Sequence, residues 1–321
     1  DDVFHEDPTV NRLEELAAER LGKEAALLVA SGTQGNLIGV ISHTQRGDEV
    51  ICGDQSHVFH YEVAGCAVVG SLQMRPIRNV EGTLLPADVE AAIRPVDVHY
   101  PRTAVVCLEN THNREGGVPI TAEQTRAVAD VAHRRGVAVH LDGARVFNAA
   151  IALGVDVRAL TAPVDSVTFC LSKGLGSPVG SVLCGSKAYI EIARKNRKML
   201  GGGMRQAGFI AAAGIYSLST MVDRLAEDHA NARLLAEGLA EIPGIQIDPN
   251  RPRTNLVFFD VTAPIGVVGL ATRLRDYGVI CNASYGQKIR MVPHYGIERS
   301  DIEHTLRAVR EILVGIPVGA R

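Results

Sequence analysis

Early in the chain the hydrophobic positions change their period. Val10, Leu13, Leu16 and Ala17 fall on one helical face and Gly22 is a natural stop, so the pattern predicts a helix from Pro8. Ala25 to Ala30 is then a short apolar run, Ser31-Gly-Thr-Gln-Gly-Asn36 a glycine turn, and Leu37 to His43 helical again. The same alternation recurs at Glu49–Cys52, Ala67–Gly70, Ala104–Leu108, Val137–Leu141, Ser166–Leu171 and Gly180–Cys184. Strands with few polar positions, separated by helix-length segments, predict an α/β large domain: a mostly parallel, seven-stranded sheet covered by helices on both faces. Residues 207–240 read as a long helical stretch, one helix or two. Beyond it, Gln246–Asp248, Asn255–Asp260, Val279–Cys281 and Lys288–Val292 read as short strands. Helices over 267–277 and 300–313 accompany them, which predicts a smaller C-terminal α+β domain. The expected division is 1–225 and 226–321.

Composition narrows the function classes. The formal net charge is −3 with both signs interleaved, so no footprint for nucleic acid or an anionic membrane stands out. The longest uncharged apolar stretch, Phe209 to Val222, is shorter than the roughly 20 residues a spanning helix needs. Six cysteines are scattered without a C-x-x-C pair and lie mostly inside apolar runs, as buried free thiols of a reducing, cytoplasmic compartment do. The one basic cluster is Arg194 to Lys198, read as a solvated helix face apart from its end.

Ligands of open α/β sheets bind at the carboxyl ends of parallel strands, and three features fall there. Ser31 to Asn36 offers backbone N–H groups at a helix start, able to cradle a phosphate or simply to cap the helix. Asp142, in His140-Leu-Asp-Gly-Ala-Arg145, closes an apolar strand with a carboxylate that needs a cation or several donors, unless it is a helix cap. Lys173 lies where Phe169-Cys-Leu gives way to glycine and serine; a partly desolvated lysine is a carbonyl nucleophile, and a solvated one is nothing special. An anion site, a carboxylate and an amine together are what pyridoxal phosphate requires.

At this point the chain resembles the threonine aldolase family of fold-type I pyridoxal-phosphate enzymes, with their aspartate aminotransferase-like fold. The motifs S-G-T-Q-G-N, E-N-T-H-N, H-L-D-G-A-R-V-F-N-A, L-S-K-G-L-G-S-P-V-G-S and R-K-M-L-G-G-G-M-R-Q-A-G carry the resemblance in order and spacing through essentially the whole chain. It implies that Lys173 forms the Schiff base and that Asp142 bonds the pyridinium nitrogen. Gly32 and Thr33 would hold the phosphate with Arg205 and, from a neighbouring subunit, Lys198. His57 would lie over the cofactor ring, His99 would be a second pocket histidine, and Arg145 and Arg290 would hold the substrate carboxylate. A guanidinium suits that task on chemical grounds, because it binds a planar carboxylate bidentately and so fixes which Cα bond stands perpendicular to the ring.

The reaction implied is retro-aldol cleavage of L-threonine or L-allo-threonine to glycine and acetaldehyde, with His57, His99 or a water between them as base. The resemblance also implies a cytoplasmic homotetramer, a dimer of dimers with active sites at subunit interfaces, and leaves open a bound monovalent or divalent cation. Alternatives are another amino acid reaction on the same cofactor, such as β-elimination or transamination, and a catalytically idle binding protein that keeps the fold. The chain departs from the family where D-D-V-Y-G becomes Asp1-Asp-Val-Phe4-His5, which bears on substrate preference. The family's R-S-D-T-V-T-like segment is also absent from this stretch, and the expectation is that residues precede Asp1 in the whole protein.

Overall fold

The computed structural model describes residues 1–251, 253–285 and 288–315, although nothing is said of the side chains of 284–285. It divides into two compact units, Asp1–Asp223 and Arg224–Arg321.

The first unit is built on a seven-stranded sheet. Its strands are β1 (Ala25–Val29), β2 (Glu49–Gly53), β3 (Gln73–Ile77), β4 (Thr103–Glu109), β5 (Ala138–Asp142), β6 (Ser166–Cys170) and β7 (Ser181–Gly185), in the spatial order β1-β7-β6-β5-β4-β2-β3. The pairs from β3 through β6 are parallel, while β7 runs antiparallel to both β6 and β1. Every residue of β2, β4, β6 and β7 is buried, as helices on both faces require. One sequence expectation shifts here. Residues 67–70 are not a strand: Gly65–Val68 is a helical turn with Val68 exposed, and the strand follows at Gln73–Ile77 on the sheet's edge. An edge strand is paired and covered on fewer sides, so Gln-Met-Arg-Pro-Ile lacks the apolar density used to find the others.

Asp7 caps the helix Pro8–Leu21 by accepting from the Thr9 and Val10 amides, and Gly22 closes it in the left-handed conformation. The next helix begins at Gly32, earlier than its apolar pattern suggested, because Ser31 accepts a hydrogen bond from the Gln34 amide. Its sheet face is made of glycine. A Cβ at Gly32 would lie 2.8 Å from Cys170 Sγ, and one at Gly35 2.5 Å from Thr168 Cγ2; one at Gly39 would strike the His140 ring. The helix therefore rests directly on β6 and β5, closer than any side chain would allow.

The basic run at 194–198 also differs from expectation. Arg197 is 2% exposed, donates to the Leu28 carbonyl at 2.8 Å and pairs with buried Asp2 at 2.8 Å. Arg194 pairs with Glu14 at 3.0 Å, whose other oxygen accepts from the Leu28 amide. This half of the cluster ties the amino-terminal segment and the first helix to β1, and only Lys195 and Lys198 stand exposed.

The predicted stretch 207–240 is two helices: Gly208–Thr220 ends the first unit and Leu225–Ala240 opens the second. The second unit carries the four-stranded sheet β8 (Ile245–Gln246), β9 (Val257–Val261), β10 (Asn282–Tyr285) and β11 (Lys288–Met291), ordered β8-β9-β11-β10 with antiparallel pairing. Helices Gly266–Arg275 and Arg299–Val314 contribute to its core with Leu270, Leu274, Ile302, Val309 and Ile312. The strand expected at 279–281 lies instead at Asn282–Tyr285, and Ile280 is exposed. All six cysteines are free, five of them buried; burial pushes the Cys52 and Cys66 thiols up to about 12, so they are inert at neutral pH. Among the described residues no helix is long and apolar enough to cross a membrane.

Candidate active site

The carboxyl ends of β4, β5 and β6 form one edge, with Glu109 opposite Asp142 and Asp142 opposite Thr168 in register. Asp142 is 6% exposed. Its Oδ1 accepts from the Ala144 amide at 3.1 Å and its Oδ2 from Asn36 Nδ2 at 2.9 Å. Asn36 comes from the glycine-faced helix, so the close approach of that helix to the sheet is what brings its amide to the carboxylate. The other amide hydrogen goes to Glu62 Oε1 at 2.8 Å, and that oxygen is also 2.9 Å from His57 Nδ1.

His57 is held at its backbone too, where its N–H donates to Glu109 Oε2 at 2.7 Å while the other Glu109 oxygen accepts from the Asn113 amide. The hydrogen bond to Glu62 raises the imidazole pKa above its ordinary value against the opposing effect of burial. His57, Glu62 and Asp142 offer ligand atoms within 4.8 Å of one another. The Asn36 amide hydrogens point into that group, so it is arranged for N–H donors rather than for a cation.

Behind Asp142 the network continues inward. His140 Nε2 meets Asn36 Oδ1 at 3.3 Å, His140 Nδ1 meets Ser166 Oγ at 2.9 Å, and His43 Nε2 meets the same hydroxyl at 2.8 Å. Burial lowers the His140 pKa to about 3 and that of His43 to about 4, so both rings are neutral in the folded protein.

The helix start lies over the end of β6, since Gly32 abuts Cys170 and Ser181. Ser31 Oγ is occupied by the Gln34 amide, and the first N–H groups of a helix have no partner within it, which leaves those of Gly32 and Thr33 to be met from outside the helix. Lys173 is half-buried in the loop leaving β6. That loop is pinned at several points: the Gly180 carbonyl accepts from the Leu171 and Ser172 amides, Gly176 N–H donates to the Lys173 carbonyl at 2.9 Å, and Ser177 Oγ meets Ser217 Oγ at 2.7 Å. Gly176 and Gly180, at φ +75° and +104°, permit its sharp path.

Other residues singled out from the sequence fall as follows. Arg145 is half-buried three positions past Asp142, at the N-cap of the helix Val146–Leu153. Arg205 is exposed, paired with Asp1 at 2.7 Å and set over the Phe4 ring. Lys198 is exposed against Gly203, in the loop that brings Gly202 onto Gln34 of the glycine-faced helix. His99 precedes the amino end of β4, exposed and bonded to Asp97 at 2.7 Å. Within one chain it therefore lies at the sheet edge opposite His57, a strand length or about 20 Å away. Arg290, on β11, is half-buried and lines a cavity of about 630 Å³ in the second unit with Arg275, Asn282 and His294. Asn36, Glu62, Glu109, His140 and Ser166 join the site without having been singled out. Glu109 had a signal, since like Asp142 it closes an apolar strand, but nothing in local spacing marks Glu62.

Comparison with known proteins places the chain in a family. The beta-eliminating lyase family profile matches residues 1–264. Low-specificity L-threonine aldolase 1 of Arabidopsis thaliana is 44% identical over 320 residues, covering 98% of this chain and 89% of that protein. The low specificity L-threonine aldolase of Escherichia coli K12 is 44% identical over 303 residues, covering 94% of this chain and 88% of the relative. In fold, the chain matches the Leishmania major threonine aldolase with TM-score 0.79 at 18% identity, covering 96% and 90% of the two chains. The serine palmitoyltransferase of Sphingomonas wittichii matches with TM-score 0.75 at 19% identity, covering 96% and 78%. The chain belongs to the threonine aldolase family, within the beta-eliminating lyases.

Proposed function

We propose that this protein is a pyridoxal-phosphate-dependent carbon–carbon lyase that cleaves L-threonine or L-allo-threonine to glycine and acetaldehyde. The observation that carries the reading is Asp142: a carboxylate buried at a strand end, held by two N–H donors and with acceptor capacity to spare. A buried anion of this kind fits a protonated pyridine nitrogen. The cradle at Gly32 and Thr33 fits the phosphate, with Arg205 and Lys198 as its cationic complement, and Lys173 supplies the amine that would hold the cofactor aldehyde. When bound, the cofactor supplies an electron sink for the pair left at Cα.

The chain's own residues then determine which bond breaks. Arg145 would bind the substrate carboxylate and set the Cα–Cβ bond perpendicular to the ring. His57 would lie against the ring face, its backbone held by Glu109. A base, His57 Nε2 or a water beside it, takes the β-hydroxyl proton; Cα–Cβ breaks, the aldehyde leaves, and a proton added at Cα completes glycine. His99 serves as the second pocket histidine if another copy of the chain presents it, which accords with a homotetramer whose sites lie between subunits. The exposed Val96, Val98 and Phe209 support such an assembly. The proposed location is the cytoplasm.

The family name makes β-elimination the second reading. The test is the absorbance of the purified protein with pyridoxal phosphate, before and after borohydride, followed by L-threonine and product assay. A visible band abolished by Lys173→Ala, with glycine and acetaldehyde formed, is the expected result. Pyruvate and ammonia from a β-substituted amino acid in place of glycine would favour elimination, and a wild-type protein without a band would overturn the cofactor assignment.

A further inference from the structure

Two acidic side chains meet at Asn36, and only one has a role in the reading above. The Asn36 amide donates one hydrogen to Asp142 and the other to Glu62. Both carboxylates are acceptors, which leaves Oδ1 of Asn36 facing His140 Nε2. The amide orientation therefore follows from its partners: with its nitrogen turned the other way, the oxygen would confront two carboxylates. His140 must then donate from Nε2 and accept at Nδ1 from the Ser166 hydroxyl, which in turn accepts from His43 Nε2. The hydrogen-bond directions are determined from His43 to Glu62.

The chain of partners ends on the His57 ring. Glu62 is 4% exposed, and its Oε1 takes both the Asn36 hydrogen and the His57 Nδ1 contact at 2.9 Å. Other groups facing His57 are Glu109 at its backbone and Asp142 across the cluster. The Tyr61 ring lies 5.4 Å away, with Arg114 bonded to the Tyr61 hydroxyl at 3.0 Å, and His112 stands 3.7 Å from Glu109. Glu62 is the acidic group that contacts the ring itself.

We propose that Glu62 is a positioning residue: through Asn36 it is tied to Asp142, and through Nδ1 it fixes the tautomer and orientation of His57, leaving Nε2 as the nitrogen presented to substrate. The proposal rests on the pyridoxal-phosphate reading for its catalytic consequence, but its geometry exists in the protein alone. Proton exchange at the site is confined to Nε2, and the charge on Glu62 helps to determine the pH at which that proton leaves.

The decisive experiment is nitrogen-15 histidine NMR on wild type, Glu62→Gln and Glu62→Asp, each without and with pyridoxal phosphate, alongside pH profiles of kcat and KM. Glutamine keeps an oxygen for Asn36 and for Nδ1 but removes the charge. In wild type, Nδ1 remains protonated throughout while Nε2 titrates above the range of a free histidine. Glu62→Gln lowers that midpoint while Nδ1 stays protonated, and Glu62→Asp, restoring the charge, moves the midpoint back towards wild type. A His57 midpoint and tautomer identical in all three proteins would overturn the proposal, as would a wild-type ring protonated at Nε2 with Nδ1 bare. The kinetic arm separates the two readings: if the NMR midpoint moves and the acid limb of kcat does not, Glu62 positions His57 as proposed but His57 is not the base. If none of the three proteins binds the cofactor, the functional reading fails and the NMR result stands by itself.

Discussion

Replacing Gly35 by alanine tests whether the glycine face of the second helix holds the site together. The added Cβ would lie 2.5 Å from Thr168 Cγ2, 3.2 Å from Thr168 Oγ1 and 3.3 Å from Val29 Cγ2. Ordinary carbon contacts are roughly 3.5–4.0 Å, so the helix must lift by about 1 Å or β6 must give way. Alanine gains about 1 kcal/mol in helix propensity over glycine, and overpacking a well-filled interior costs roughly 1–3 kcal/mol. The net expectation is a loss of up to about 2 kcal/mol, small enough for the protein to fold. The larger effect is on function, because Asn36 is the next residue and Gly32 begins the same helix. A lift of about 1 Å stretches the 2.9 Å bond from Asn36 to Asp142 beyond hydrogen-bonding range and moves the cradle off the end of β6.

The assay is urea unfolding together with titration of pyridoxal phosphate by absorbance. Gly35→Ala should lower the midpoint and weaken cofactor binding at least tenfold, since one charge-assisted hydrogen bond contributes about 1.5–3 kcal/mol. Thr168→Ser removes the obstructing methyl, so the double variant Gly35→Ala/Thr168→Ser should recover much of both losses, a coupling read from the double-mutant cycle. Gly35→Ala with wild-type stability and affinity, or a double variant no better than the single, would refute the argument.

Two further predictions follow from buried charge. His140 is held neutral with its pKa near about 3, below that of an unfolded histidine, so the unfolded chain binds more protons below pH ~6.5 and stability falls as pH drops. Between pH 6.5 and 5 the loss is about 2 kcal/mol from this residue, and His140→Gln should flatten that part of a urea-midpoint profile. His57 has the opposite sign: its raised pKa adds stability at low pH that disappears as pH rises through the folded value. Arg197→Met leaves Asp2 charged and buried and should cost about 3–5 kcal/mol by urea unfolding; adding Asp2→Leu should return most of it, because a matched apolar pair replaces a buried ion pair with little loss.

Asp142 and Lys173 were legible in sequence because each interrupts an apolar run at a strand end, where a polar group needs a reason. The helical periods at Pro8–Leu21 and Arg299–Val314 were legible because each has one apolar stripe. Glu62 was not, since it lies in a short irregular segment and acquires meaning only when Asn36, from another element, reaches it. Arg197 was misread as solvated for the same reason: a cation in a basic run looks wet until Asp2, almost two hundred positions away, is folded beneath it. The edge strand Gln73–Ile77 was lost to the more apolar Ala67–Gly70 beside it, because hydrophobic density reports coverage and an edge has less of it.

The antiparallel strand β7 has a consequence for biosynthesis. Its register against β1 pairs Val29 with Ser181 and Ala25 with Gly185, so β1 has no strand to bond with until about 150 further residues have left the ribosome. At about 5–20 residues per second, the apolar segment Ala25–Val29 waits on the order of ten seconds. During that interval it is a bare sheet-forming tape, and chaperone capture of nascent chains should concentrate there until Gly185 emerges.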